Sequence, residues 1–186
     1  MKTLFCLFAF LLFPIFACNA NSCQPDNGLH VLDTARFVNI RVDYSKASID
    51  GLKEGDLIRI GTFNWEKGKQ EILERFERAM NRKDFGVNIY YSYENPDCRL
   101  YITFFPITIS RNGDVFGYAV IHNDIDTYDT ISDIYGKGGK FGTFINLIGD
   151  GMESVGMSLS WYINECVSYN RKVAERERRR QARRIR

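Results

Sequence analysis

Alternation of apolar and polar residues marks the strands of this chain, and spacings of three and four mark its helices. Phe37 to Val42 turns Val38, Ile40 and Val42 one way and Asn39 and Arg41 the other. Asp56 to Ile60 offers a second short strand after turns at Gly51 and Gly55. A helix is predicted over Glu66 to Met80, with Asn64 as candidate cap and Ile72, Leu73, Phe76 and Met80 on its apolar stripe. Glu71/Arg75 and Glu74/Arg78 would be exposed pairs one turn apart. Val87, Ile89, Tyr91 and Tyr93 then share one face of a strand, and Leu100, Ile102 and Phe104 one face of the next.

At Pro106 the apolar phase slips by one residue, from Phe104 to Ile107 and Ile109, which a bulge would absorb. Proline lacks an N–H for the ladder, so this strand is expected at a sheet edge. Asn112-Gly113 predicts a two-residue hairpin turn, with Val115 to His122 as the returning strand. Asp124, Asp126, Asp129 and Asp133 read as a solvated acidic loop. As a calcium loop they fail where Tyr128, Asp129 and Tyr135 stand in place of a ligand, the glycine and the closing glutamate. Gly136 to Gly142 is a glycine-rich turn matching neither the P-loop nor the dinucleotide fingerprint. The last predicted helix runs from Phe141 to about Val167, with Phe144, Ile148, Met152, Val155, Leu159, Tyr162 and Cys166 on one stripe. Gly149, Gly151 and Gly156 weaken it by about 1 kcal/mol each relative to alanine, so a break at Gly149-Asp150-Gly151 competes with close packing as their explanation.

These elements predict an α+β fold in a single domain over residues 21 to 170: an antiparallel sheet of four to five strands with two helices packed on one face. A composition of 45% hydrophobic residues is that of a folded chain, not a disordered one.

The N-terminus adds a location. Lys2 precedes an uncharged run from Thr3 to Ala17, the build of an export signal over residues 1 to 20 and too short for a membrane span. Cleavage after Ala20 would release a soluble protein. Cleavage after Ala17 would use Ile15 to Cys18 as a lipobox-like run and make Cys18 the lipidation candidate, as it resembles in bacterial lipoproteins. The expected location is periplasmic or secreted, with an outer-membrane lipoprotein as the tethered form. Outside the leader and its edge stand Cys23, Cys98 and Cys166, of which Cys98 and Cys166 are the disulfide candidates. No CxxC pair or zinc-ligand spacing occurs, so no metal or cofactor is expected.

Charge is strongly separated. Residues 21 to 170 hold fifteen basic and twenty-one acidic residues, while Arg171 to Arg186 hold nine basic and two acidic ones. This basic C-terminal extension, residues 171 to 186, offers Arg178, Arg179, Arg180, Arg183 and Arg184 to an anionic membrane surface. Export disfavours nucleic acid as its partner. For catalysis the only histidines are His30 and His122, and the glycines around Ser154 have the wrong spacing for a nucleophile elbow. No catalytic residue is assigned. The leading expectation is a non-catalytic binding module of the bacterial envelope, an adaptor, inhibitor or immunity-type protein, that meets another protein through Tyr90, Tyr91, Tyr93, Tyr101 and Tyr118. A membrane-tethered accessory lipoprotein and an envelope hydrolase using His122 are the alternatives.

Overall fold

The computed structural model describes residues 28–56, 65–82 and 89–184. The leader, Cys18 and Cys23, most of the strand expected at Asp56 to Ile60, Asn64 and Val87 lie outside the described residues. A 3-10 turn, Gly28–Leu32, opens the fold, followed by β1 (Phe37–Val42), β2 (Ser48–Ile49), α1 (Trp65–Met80), β3 (Tyr90–Ser92), β4 (Tyr101–Ile109), β5 (Val115–His122), β6 (Thr127–Gly136) and α2 (Phe144–Arg184).

The protein is α+β, but the sheet is mixed and six-stranded, in the order β3-β1-β4-β5-β6 with β2 beside β4. The antiparallel expectation holds only for β4-β5-β6. β1 runs parallel to β3, with Val38 opposite Tyr91, and parallel to β4, with Ile40 opposite Ile102. The β1-to-β3 return passes through α1, the crossover that parallel neighbours require. Alternation within a strand reports which face is buried and carries nothing about the direction of its neighbour.

β4 is therefore central, not an edge. Pro106 is tolerated there because β1 pairs with residues 101 to 104 and β2 with 108 and 109, leaving proline in the gap between them. The predicted bulge is present on the other flank, where the β4-β5 register shifts between Pro106 and Thr108. The hairpin turn differs from the predicted two-residue form. The Gly113 amide donates to the Ser110 carbonyl and the Ser110 amide to the Asp114 carbonyl, and only Gly113 adopts positive φ, at 79°. That is a three-residue loop ending in a left-handed glycine.

β6 corrects the acidic-loop expectation. Asp124 and Asp126 lie in the turn as expected, but Asp129 and Asp133 belong to this outer strand, Asp129 paired with Ile121 of β5 and Asp133 at a register shift between Ile131 and Ile134. Acidic side chains on an edge read like a loop because only one side of such a strand needs a partner.

α1 starts and stops within a residue of expectation, burying Ile72, Phe76, Ala79 and Met80. Arg75 does not pair with Glu71; it reaches Asp150 on α2 at 2.8 Å and the Asn146 side chain at 3.1 Å. α2 is one unbroken helix of 41 residues. Its glycines are seats for neighbours. A Cβ on Gly151 would come within 2.0 Å of the Gly113 carbonyl oxygen, and one on Gly156 within 2.8 Å of Ala79 and 3.0 Å of the Phe76 carbonyl. Both helices bury their stripes in one cluster with Val38, Ile40, Ile102, Phe104, Val115 and Ala119 from the sheet.

Gly151→Ala is expected to destabilise the protein by about 2 kcal/mol through overpacking, although alanine is the better helix former. A lower urea midpoint with unchanged slope is the measurement that checks it.

Candidate functional site

In β5 the burial alternates strictly, with Val115, Gly117, Ala119 and Ile121 turned to the helices and Phe116, Tyr118, Val120 and His122 to the opposite side. No described helix covers that opposite face. The strand registers extend it sideways. Tyr101 stands opposite His122, Thr103 opposite Val120 and Phe105 opposite Tyr118, while Asn39 and Arg41 of β1 lie beside Tyr101 and Thr103. The side chains form rungs. The Arg41 guanidinium lies 3.9 Å from the centre of the Tyr101 ring, whose other neighbour His122 stacks at 5.3 Å. Phe105 and Tyr118 stack at 5.1 Å. At one edge Phe37 and Tyr90 meet edge-on at 6.0 Å, each more than half exposed. At the other, Tyr135 is opposite Phe116, and Ile107 projects from the bulge.

His122 is part of this surface and not a free base. Its Nδ1 donates to the Asn123 carbonyl at 2.8 Å, so Nε2, 2.9 Å from the Thr103 hydroxyl, accepts from it. Thr103 is buried at 6% exposure, which closes the pair to a substrate. Among the described residues no group of His, Cys, Asp and Glu could hold a metal ion.

The five candidate tyrosines do not share a face. Tyr90, Tyr101 and Tyr118 belong to the side away from the helices, with Tyr90 exposed, Tyr118 half-buried and Tyr101 sealed to 5% exposure between Arg41 and His122. Tyr91 turns to the helices at 2% exposure, and Tyr93 accepts a hydrogen bond from Gln70 of α1. Burial pushes the Tyr91 hydroxyl pKa up. What sequence reasoning missed on the open face is Phe37, Arg41 and Phe105. The alternation of β1 and β4 contains them, but apolar residues on the second face of a strand read as core until the covering layer is known.

The disulfide candidates part company. Cys98 is a free thiol, 3.2 Å from the Phe37 carbonyl oxygen, whereas Cys166 is disulfide-bonded. Cys98 lies in the loop after β3, and Cys166 is fully buried on α2, behind the sheet. The pairing of one with the other is thus overturned.

On the helix side a cleft of about 330 Å³ is lined by Val42, Tyr44, Glu54, Glu66, Lys69, Gln70 and Leu73. One lysine bridges its two carboxylates, with Lys69 Nζ 2.8 Å from Glu54 and 3.0 Å from Glu66. Burial alone would push the Glu54 pKa up. Hydrogen bonds from Lys69 and from the Trp65 indole, with the Lys69 charge, outweigh that and hold it below its ordinary value.

The candidate basic residues, Arg178, Arg179, Arg180, Arg183 and Arg184, are helical and fully displayed at the end of α2. Arg179 pairs with Glu175. No described helix is long and apolar enough to cross a membrane.

Comparison with protein-family models, with curated proteins and with solved structures returns no match.

Two measurements probe this geometry. In the unreduced, unfolded protein, iodoacetamide is expected to label Cys98 and to label Cys166 only after reduction, read by peptide mass spectrometry. Because the folded pKa of Glu54 is depressed, its contribution to stability is complete above the ordinary value of 4.5 and is lost as pH falls through the folded one. Glu54→Gln should therefore cost about 1 kcal/mol at neutral pH and flatten the acid limb of the stability curve, followed by urea titration at several pH values.

Proposed function

We propose that the chain is an exported protein of the bacterial envelope and works as a non-catalytic binding module, an adaptor, inhibitor or immunity-type partner, that docks another protein on the open face of its sheet. The observation that carries this reading is the array of stacked rings on the face that no described helix covers: exposed Arg41 over the buried Tyr101 ring, which stacks on half-buried His122, half-buried Phe105 on Tyr118, and the exposed pair Phe37 and Tyr90. Aromatic residues and arginine are the types enriched in protein interfaces, and rings held by their neighbours lose little freedom on binding.

Catalysis has weaker support. Both nitrogens of His122 are engaged, and its hydroxyl neighbour is buried. Export rests on the Lys2 and Thr3 to Ala17 pattern, for which fractionation is the direct check: the processed chain, beginning near Cys18 or Asn21, is expected in the envelope, and an intact chain in the cytosol would refute it.

The docking surface is tested by placing a photo-crosslinking residue at Tyr118 in cells and identifying what it captures. One stoichiometric protein is expected. Arg41→Ala combined with Phe37→Ser should weaken that partner by about tenfold or more with little change in melting temperature. Equal affinity for the variant and the native chain would place the interface elsewhere.

A further inference from the structure

The last buried residue of α2 is Asn170; from Arg171 to Arg184 only Val173 keeps partial cover. Fourteen residues of helix thus extend about 20 Å beyond the body at 1.5 Å per residue. They hold eight basic and two acidic side chains. Val173, Ala174 and Ala182 are too few and too small to make an apolar face, so this helix has nothing to insert into a groove or a core. Its like charges also oppose it: Lys172 and Arg176, Arg176 and Arg180, Arg179 and Arg183, and Arg180 and Arg184 stand four residues apart, a spacing at which equal charges repel. A dense anionic surface would relieve these repulsions together.

A second observation says which surface. The Arg171 guanidinium donates to the Asp33 carbonyl at 2.8 Å and the Asn170 amide to the Asp33 carboxylate at 3.3 Å, while Leu29 and Leu32 are sealed in the core. The chain therefore enters the fold where the basic helix leaves it. Five residues before Arg171, Cys166 is disulfide-bonded and fully buried. In sequence, the apolar run Thr3 to Ala17 and the lipidation candidate Cys18 precede Gly28, the first described residue of the entering chain.

We propose that Arg171–Arg184 is a binding site for anionic phospholipid headgroups, and that the pole of the molecule shared by this helix and the entering chain faces the bilayer. With lipidation at Cys18, which rests on the envelope reading above, the basic helix supplies the second of the two signals that stable anchoring takes. The net negative body orients the molecule in the same sense, since an anionic surface attracts the helix and repels the rest.

The test uses the full mature chain in co-sedimentation with vesicles of phosphatidylcholine alone and with added phosphatidylglycerol, at low and high salt. Binding that rises about tenfold with the anionic lipid, and falls again in high salt, is expected. Neutralising the site with Arg178→Gln, Arg180→Gln, Arg183→Gln and Arg184→Gln should abolish the dependence on anionic lipid while the circular dichroism of the helix is retained. Lipid-independent binding, a variant that keeps the anionic preference, or preferential binding to an added RNA duplex over the vesicles would each overturn the proposal.

Discussion

Everything in this fold depends on the backbone of α2 being allowed to touch the end of the sheet. Gly151 lies against the Gly113 carbonyl, Gly136 against the Gly151 carbonyl and Val155, and Gly156 against Phe76 and Ala79 of α1. Any side chain at these contacts would lift the helix away from the sheet. Close approach lets Met152, Val155 and Leu159 reach the layer formed by Val115, Ala119 and Phe104. The Arg75–Asp150 bridge fixes the two helices along their length. One face of the sheet is filled in this way, no described helix lies over the other, and α2 continues past the body.

The elements whose reasons are local were legible in the residues. α1 follows from Ile72, Phe76 and Met80 at helical spacing, and the bulge at Pro106 from the slip in apolar phase. The elements that escaped have reasons elsewhere in the chain. Parallel pairing of β1 with β4 leaves no mark in either strand. The glycine penalties in α2 are visible in sequence, but the carbonyls and side chains that require those glycines belong to the hairpin and α1. β6 looked like a loop because an edge strand satisfies its polar side chains with water.

The candidate surface was half legible for the same reason. Tyr101 and Tyr118 could be named, but their rungs are built from partners on other strands: Arg41 from β1, His122 from β5, Phe105 from β4. Tyr91 shows the converse. It sits one residue from Tyr90 and so points into the core, its hydroxyl buried.

Asp133 has one more consequence. It takes a left-handed backbone at φ 57° in the middle of β6, where the pairing to β5 is irregular, and its exposed carboxylate stands beside exposed Ser132. A strand kinked and charged in this way is a poor template for another copy of itself. This outer strand of the described sheet is thus guarded against fibril-like zipping with the same strand of a neighbouring copy.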